Sequence, residues 1–194
     1  MKVVVEGANS FITPEARKRL QEAGVVVLRD ASANKCGVIS SSYEIIGNLL
    51  LSEKEFLAHK EQYVRDVLEI LEKRAADEAN LIFRRHREEG GKRAFTEISR
   101  AISLEINGHK ARLFRFFQSR PDLCAKQLYR RALLDHLPRL IRESPSYRLR
   151  VKDLPAKYVS AILAAEIATT MVYRQPLEPN FEEALEQYVG KMFV

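Results

Sequence analysis

The sequence predicts a mixed, mainly α chain: a short strand–helix–strand unit, then a multi-helix bundle. Three observations carry this expectation. Two β-branched apolar runs, Val3-Val4-Val5 and Val25-Val26-Val27-Leu28, flank a helix start and stop signal. From about Val38 to Tyr173, apolar residues recur at helical spacing. Between the two regimes lies Asp30 to Glu44, DASANKCGVISSSYE, the most polar and least periodic stretch of the chain.

Val3-Val4-Val5 reads as a buried strand ending at Glu6-Gly7-Ala8-Asn9. Thr13-Pro14-Glu15 opens a helix, with Thr13 as N-cap and Pro14 at the first helical position. Gly24 stops it. The second run is then a second buried strand, parallel to the first through a right-handed crossover. Two strands make a poor sheet, so further strands are expected outside this chain. Asp30 to Lys35 reads as the loop at the carboxyl end of the second strand, where parallel sheets bind ligands.

A helical pattern follows, with Ile45, Ile46, Leu49 and Leu50 as its apolar face. Ser52 to Glu55 is a capping box that opens a long helix, whose stripe is Leu57, Val64, Val67, Leu68 and Leu71. Gly90-Gly91 ends it. The next helix runs from about Phe95 to Gln118, straight through Asn107-Gly108. Another is expected from about Asp122 to His136, closed by Pro138. Tyr147 to Val151 reads as a short extended piece. Ala156 to Tyr173 is helical, with Val159, Ile162, Leu163, Ile167 and Met171 inward. Asn180 caps a last helix, Phe181 to about Val189. The domain boundary falls near residue 50: an α/β piece over 1–50 and a helical region over 51–194.

Composition narrows the function. Apolar residues make up 46% of the chain, enough for a real core. No run reaches the ~20 apolar residues of a membrane span; Ala161 to Tyr173 is short and contains Glu166. Cys36 and Cys124 lie far apart, with no C-x-x-C, which points to a reduced cytoplasmic setting. The net charge is +6, and Lys110 to Lys152 carries twelve basic side chains against three acidic ones. That block suits an anionic effector or an acidic partner surface, or is simply a solvated face. No nucleic-acid motif accompanies it, so nucleic acid is not expected.

Catalytic signatures are absent: no G-x-G-x-x-G, no P-loop, no H-E-x-x-H and no G-x-S-x-G. No metal site is expected from the four scattered histidines. His109 reads as a packed helix-face histidine, His86 as a surface one among arginines, and Glu166 as the partner of a cation such as an arginine. The polar groups that remain sit after the two strands: Gly7-Ala8-Asn9, and Asn34 through Ser42. Asparagine amides there could bond an amide or sugar hydroxyl, and serines at a helix start a carboxylate or phosphate. Turn and cap roles are the plainer reading of the same residues.

Val5-Glu6-Gly7-Ala8-Asn9, Ile12-Thr13-Pro14-Glu15-Ala16, Gly24 to Val27, Asp30, Asn34, Gly37-Val38, Ser41 and Glu44 together resemble the end of the nucleotide-binding domain of the glutamate dehydrogenases. The variant D-A-S-A-N-K-C-G-V, with Phe95 to Ile98 and Leu154 to Ala164 further on, is more similar to their large NAD-specific branch. The resemblance implies a Rossmann-like NAD-binding remnant and oxidative deamination of L-glutamate to 2-oxoglutarate with NAD. It makes Gly7, Asn9 and Asn34 cofactor-binding: Asn9 along the nicotinamide riboside, Asn34 toward the nicotinamide carboxamide. It makes Ser41 a contact to the substrate side-chain carboxylate and Val38 a lining residue of that pocket. The family's catalytic lysine and aspartate lie upstream, so none is expected in this chain. The chain is expected to be inactive alone, to work with the upstream part of the same enzyme, and to sit in a homo-oligomer. Lys35-Cys36 departs from the Ala-Gly of the smaller enzymes and places a charge near the cofactor. The alternative is a helical regulatory or interaction module that binds an anionic effector or partner through 110–152.

Overall fold

The computed structural model describes residues 2–174 and Leu185. The order is β1 (Val3–Val5), α1 (Pro14–Glu22), β2 (Val26–Leu28), α2 (Asp30–Ala33), α3 (Lys35–Leu50), α4 (Glu53–Glu88) and α5 (Phe95–Ser119). A 3-10 turn (Pro121–Ala125), α6 (Gln127–His136), α7 (Arg139–Glu143), α8 (Pro145–Arg150), a second 3-10 turn (Val151–Asp153) and α9 (Ala156–Arg174) follow. The described residues are mainly helical, with one small parallel sheet. The last helix expected from Phe181 lies outside the described residues. The chain divides into two compact units, Met1–Ile46 with Val67–Ser103, and Gly47–Asp66 with Leu104–Val194.

The first unit holds the sheet. β1 and β2 pair in parallel, Val3 with Val26, Val4 with Val27 and Val5 with Leu28. Thr13 caps α1, its hydroxyl accepting the Ala16 N–H at 3.2 Å, and Gly24 leaves the helix at φ 77°. Full burial of both strands is not what the structure shows. Val27 is completely buried, but Val3 and Val5 are 53% and 59% exposed. Side chains alternate across a strand, so one face of this pair is covered and the other is open. Val27, Tyr43, Ile46, Leu81, Ile82, Ile98 and Ile102 make the interior.

The stripe expected on α4 is turned. Val67 is buried as expected, and so is Ile82, but Leu57, Val64 and Leu68 are exposed, and Asp66, Glu78 and Leu81 are buried in their place. The reason is polar. In the second unit, Asp66 accepts the Leu140 N–H at 2.6 Å and faces Arg139 at 3.5 Å. In the first, Glu78 accepts from Lys35 and Ser32. Buried carboxylates must be partnered, and their partners set the rotation of the helix. Gly90 and Gly91, both at positive φ, end the turn after α4. His86 is half-buried rather than a surface residue: Nδ1 lies 2.8 Å from the Arg93 carbonyl, and its ring stacks on Phe95 at 4.0 Å.

The second unit is helical. Leu113, Phe117, Tyr129, Leu137, Ile141, Leu163 and Ile167 form its core, and α9 packs on α6. The capping box is present: the Ser52 N–H donates to Glu55 Oε2 at 2.8 Å, and the Glu55 N–H to Ser52 Oγ at 3.4 Å. Asp122 lies in a 3-10 turn, so α6 starts five residues later than expected. Tyr147 to Val151 is not extended. Pro145 sits at the first position of α8, where its missing N–H costs nothing. Glu166 meets His136, Nδ1 to Oε2 at 2.8 Å.

Candidate functional site

The carboxyl ends of β1 and β2 open on one edge, as a parallel pair requires. Two carboxylates organise that edge. Glu6, 4% exposed, receives Arg17 through both oxygens at 2.9 Å and accepts the Asp30 N–H at 3.1 Å. Asp30 accepts the Ser10 N–H at 2.9 Å and the Ala31 N–H at 2.7 Å. The Arg17 guanidinium holds the Glu6 carboxyl below its ordinary range, against the opposing effect of burial. The Ser10 N–H does the same for Asp30. Ser10 sits at φ 53°, a left-handed conformation that a serine adopts only when held.

Held between these anchors, Gly7, Asn9 and Asn34 come together. Asn34 Nδ2 donates to Asn9 Oδ1 and reaches the Gly7 carbonyl at 3.4 Å. Asn34 Oδ1 and Asn9 Nδ2 make no hydrogen bond among the described residues. They leave one acceptor and one donor on adjacent amides, which is the complement of a primary carboxamide. Gly7 is exposed, not at positive φ, and a Cβ there would meet nothing within 4 Å. Its value at this position is open space and a carbonyl, not an unusual backbone shape.

The loop expected over Asp30 to Lys35 is helical. Asp30 to Ala33 form α2, Asn34 is its C-cap, and α3 starts at Lys35. The serines therefore lie inside α3 and not at its start, so their backbone N–H groups are spent in the helix. Ser41 offers its hydroxyl alone, which turns back to the Gly37 carbonyl at 3.5 Å. Val38, Ser41 and Ile45 share one face, at i, i+3 and i+7. All three are exposed, Val38 by 76%. The opposite face buries Tyr43 and Ile46.

Lys35 does not point its charge at this edge. Its Nζ lies 2.5 Å from Glu78 Oε2, and the other Glu78 oxygen accepts Ser32 Oγ at 2.5 Å. Ser32 also meets Ser99. Cys36 is a free thiol whose Sγ lies 3.6 Å from the Leu71 carbonyl. The positioning residues that pattern reading missed are Arg17, Glu78 and the carboxylate of Glu6. One signal was available: a charged residue directly after three valines must be either exposed or paired.

Among the described residues, no group of three or more His, Cys, Asp or Glu side chains could hold a metal ion. No described helix is long and apolar enough to cross a membrane.

The chain belongs to the Glutamate/Leucine/Phenylalanine/Valine dehydrogenase family, whose pattern it matches over residues 1–104. That span takes in both strands, the amide pair, α3 and α4. Among its relatives is the NAD-specific glutamate dehydrogenase of Neurospora crassa, 33% identical over 190 residues, covering 91% of this chain and 17% of the relative. The probable NAD-specific glutamate dehydrogenase of Schizosaccharomyces pombe is 32% identical over 185 residues, covering 89% of this chain and 16% of the relative. The NADP(+)-dependent glutamate dehydrogenase of Pyrobaculum calidifontis is 54% identical over 48 residues, covering 25% of this chain and 11% of the relative. The chain thus spans about a sixth of the length of the fungal relatives. No solved structure matches it significantly.

Proposed function

We propose that this chain forms part of an NAD-dependent glutamate dehydrogenase, which converts L-glutamate, NAD and water to 2-oxoglutarate, ammonia and NADH. The amide pair carries the reading: Asn34 and Asn9 meet at the strand ends with one donor and one acceptor left over. The sheet is then a remnant of a Rossmann-like nucleotide-binding domain. NAD, when bound, supplies the hydride acceptor. Asn34 bonds the nicotinamide carboxamide, Asn9 lies along the nicotinamide riboside, and Gly7 leaves room for both. Ser41 donates to the side-chain carboxylate of glutamate, and Val38 lines that pocket. The catalytic lysine and aspartate come from the upstream part of the same enzyme, which acts as a homo-oligomer in the reduced cytoplasm.

The test uses the longer enzyme. Ser41→Ala removes one hydrogen bond to a charged group, worth about 1.5–3 kcal/mol. The expected result is a KM for L-glutamate raised on the order of tenfold or more, with turnover of norvaline, which lacks the side-chain carboxylate, unchanged. Equal losses on both substrates would show that Ser41 does not read the carboxylate.

A second reading applies to the second unit: its basic segment binds an anionic effector or an acidic partner. Internal ion pairs consume part of that charge. Arg120 pairs with Asp122, Arg139 with Asp66, Arg142 with Asp135, and Arg150 with Glu55. Arg130, Arg148 and Lys152 have no ion-pair partner among the described residues, and all three line one groove.

A further inference from the structure

That groove lies wholly within the second unit, between the first 3-10 turn, α6, α8 and the start of α9, and has a volume of about 1000 Å³. Its size is at the upper end of small-molecule sites. Each of two walls combines cations with leucine: α6 brings Arg130 with Leu133, and α8 with the second 3-10 turn brings Arg148, Leu149 and Lys152. Val159 of α9 adds apolar surface. Leu149 is 67% exposed, a large apolar side chain left in water beside three unpaired cations. Among the described lining residues Glu143 is the one carboxylate, and it lies 4.0 Å from Arg142 outside the groove. The Cys124 thiol, also on the lining, is pushed up by burial and stays protonated, so it presents neutral sulfur.

A solvated basic face needs no apolar concavity, and an apolar packing defect needs no cationic rim. We infer that this groove is a binding site for a small amphipathic anion: a linear apolar chain against Leu133, Leu149 and Val159, and a phosphate or carboxylate head held by Arg130, Arg148 and Lys152. The inference rests on the second reading above, that the basic segment engages an anion, and is independent of the amide pair in the first unit.

The probes are dodecyl phosphate, hexyl phosphate and inorganic phosphate, each monomeric, titrated calorimetrically into the 194-residue chain. Each buried methylene contributes roughly threefold to fourfold in affinity. Dodecyl phosphate is therefore expected to bind once per chain and at least a hundredfold more tightly than hexyl phosphate. The triple variant Arg130→Ser, Arg148→Ser, Lys152→Ser changes only exposed side chains. It is expected to keep its circular dichroism and to lose on the order of tenfold or more in affinity. Leu149→Ser is expected to flatten the chain-length dependence without changing weak inorganic phosphate binding. Equal affinity for the three phosphates would overturn the inference, as would binding only to phosphatidylglycerol vesicles or displacement by an acidic amphipathic peptide alone. Loss of binding in Lys110→Ser, Arg115→Ser but not in the groove variants would sink this site and leave the broader reading standing. No binding of any of these anions would end both.

Discussion

Asp30 accepts the N–H of Ser10 at 2.9 Å, so a carboxylate at the start of α2 holds the turn that follows β1. The link spans twenty residues and fixes Asn9, the immediate neighbour of Ser10, against Asn34. Asp30 is 8% exposed, and its other oxygen accepts the Ala31 N–H. Asp30→Ala therefore strands two backbone donors and a serine at φ 53°. The expected loss of stability is about 2 kcal/mol, measured by urea unfolding. Adding Ser10→Gly should return up to about 1 kcal/mol, because glycine accepts that φ without strain. A neutral Asp30→Ala would show that the turn is held by something else.

The same carboxylates give the chain an acid-sensitive edge. Glu6 and Asp30 are both held below their ordinary values of 4.5 and 3.8 in the folded chain. A group with a depressed folded-state value binds its proton more readily when unfolded. Its stabilising contribution is thus complete above about pH 5 and is lost as pH falls through the folded-state value. Unfolding midpoints taken from pH 7 down to pH 3 should fall with acid. Glu6→Gln should flatten that slope, since it removes one of the titrating groups. An unchanged slope would mean that Glu6 does not contribute.

Lys35 and Glu78 make a contact that pattern reading would not place. Glu78 is 4% exposed, whereas the Lys35 side chain is 26% exposed. Losing the lysine takes a charged partner from a buried carboxylate, and breaking such a pair costs about 3 kcal/mol when both groups are dry. Partial exposure of Lys35 lowers the expectation for Lys35→Ala to about 2 kcal/mol. Glu78→Gln should rescue part of it, which a double-mutant cycle in urea measures. Additive effects would rule out the pairing.

Local signals were legible in the sequence. Thr13, Pro14 and Gly24 marked α1 because caps and glycine stops act within a few residues. The Ser52–Glu55 box did the same for α4. The meeting of the two asparagine segments followed from one topological rule, that parallel strands end on the same edge. Long-range polar partners were not legible. Nothing in the local pattern says that Glu78 faces inward to meet Lys35 and Ser32, or that Asp66 reaches Leu140, and those pairs decide which face of α4 is buried. The open face of β1 was missed for a similar reason: three valines read alike whether one side or both are covered. The groove in the second unit is a product of helix packing, and its Arg130, Arg148 and Lys152 lie on three separate elements.

Reaction requires cofactor and substrate held within reach of each other and of a proton-transfer group. In the proposed assignment this chain supplies the amide pair and one face of α3. Val38, Ser41 and Ile45 of that face are exposed, and no apolar layer among the described residues covers Val38. The 194-residue chain, given NAD and L-glutamate, is therefore expected to form no NADH above the enzyme-free rate, followed by absorbance of the reduced nicotinamide. The longer enzyme that contains the chain should turn over under the same conditions. In that enzyme Asn34→Ala should raise the KM for NAD several-fold, since one amide bond of about 1 kcal/mol is removed from the carboxamide, while the KM for L-glutamate stays near its starting value. Glutamate-dependent NADH formation by the isolated chain would place the catalytic groups within these 194 residues and overturn the assignment of the lysine and aspartate to the upstream part.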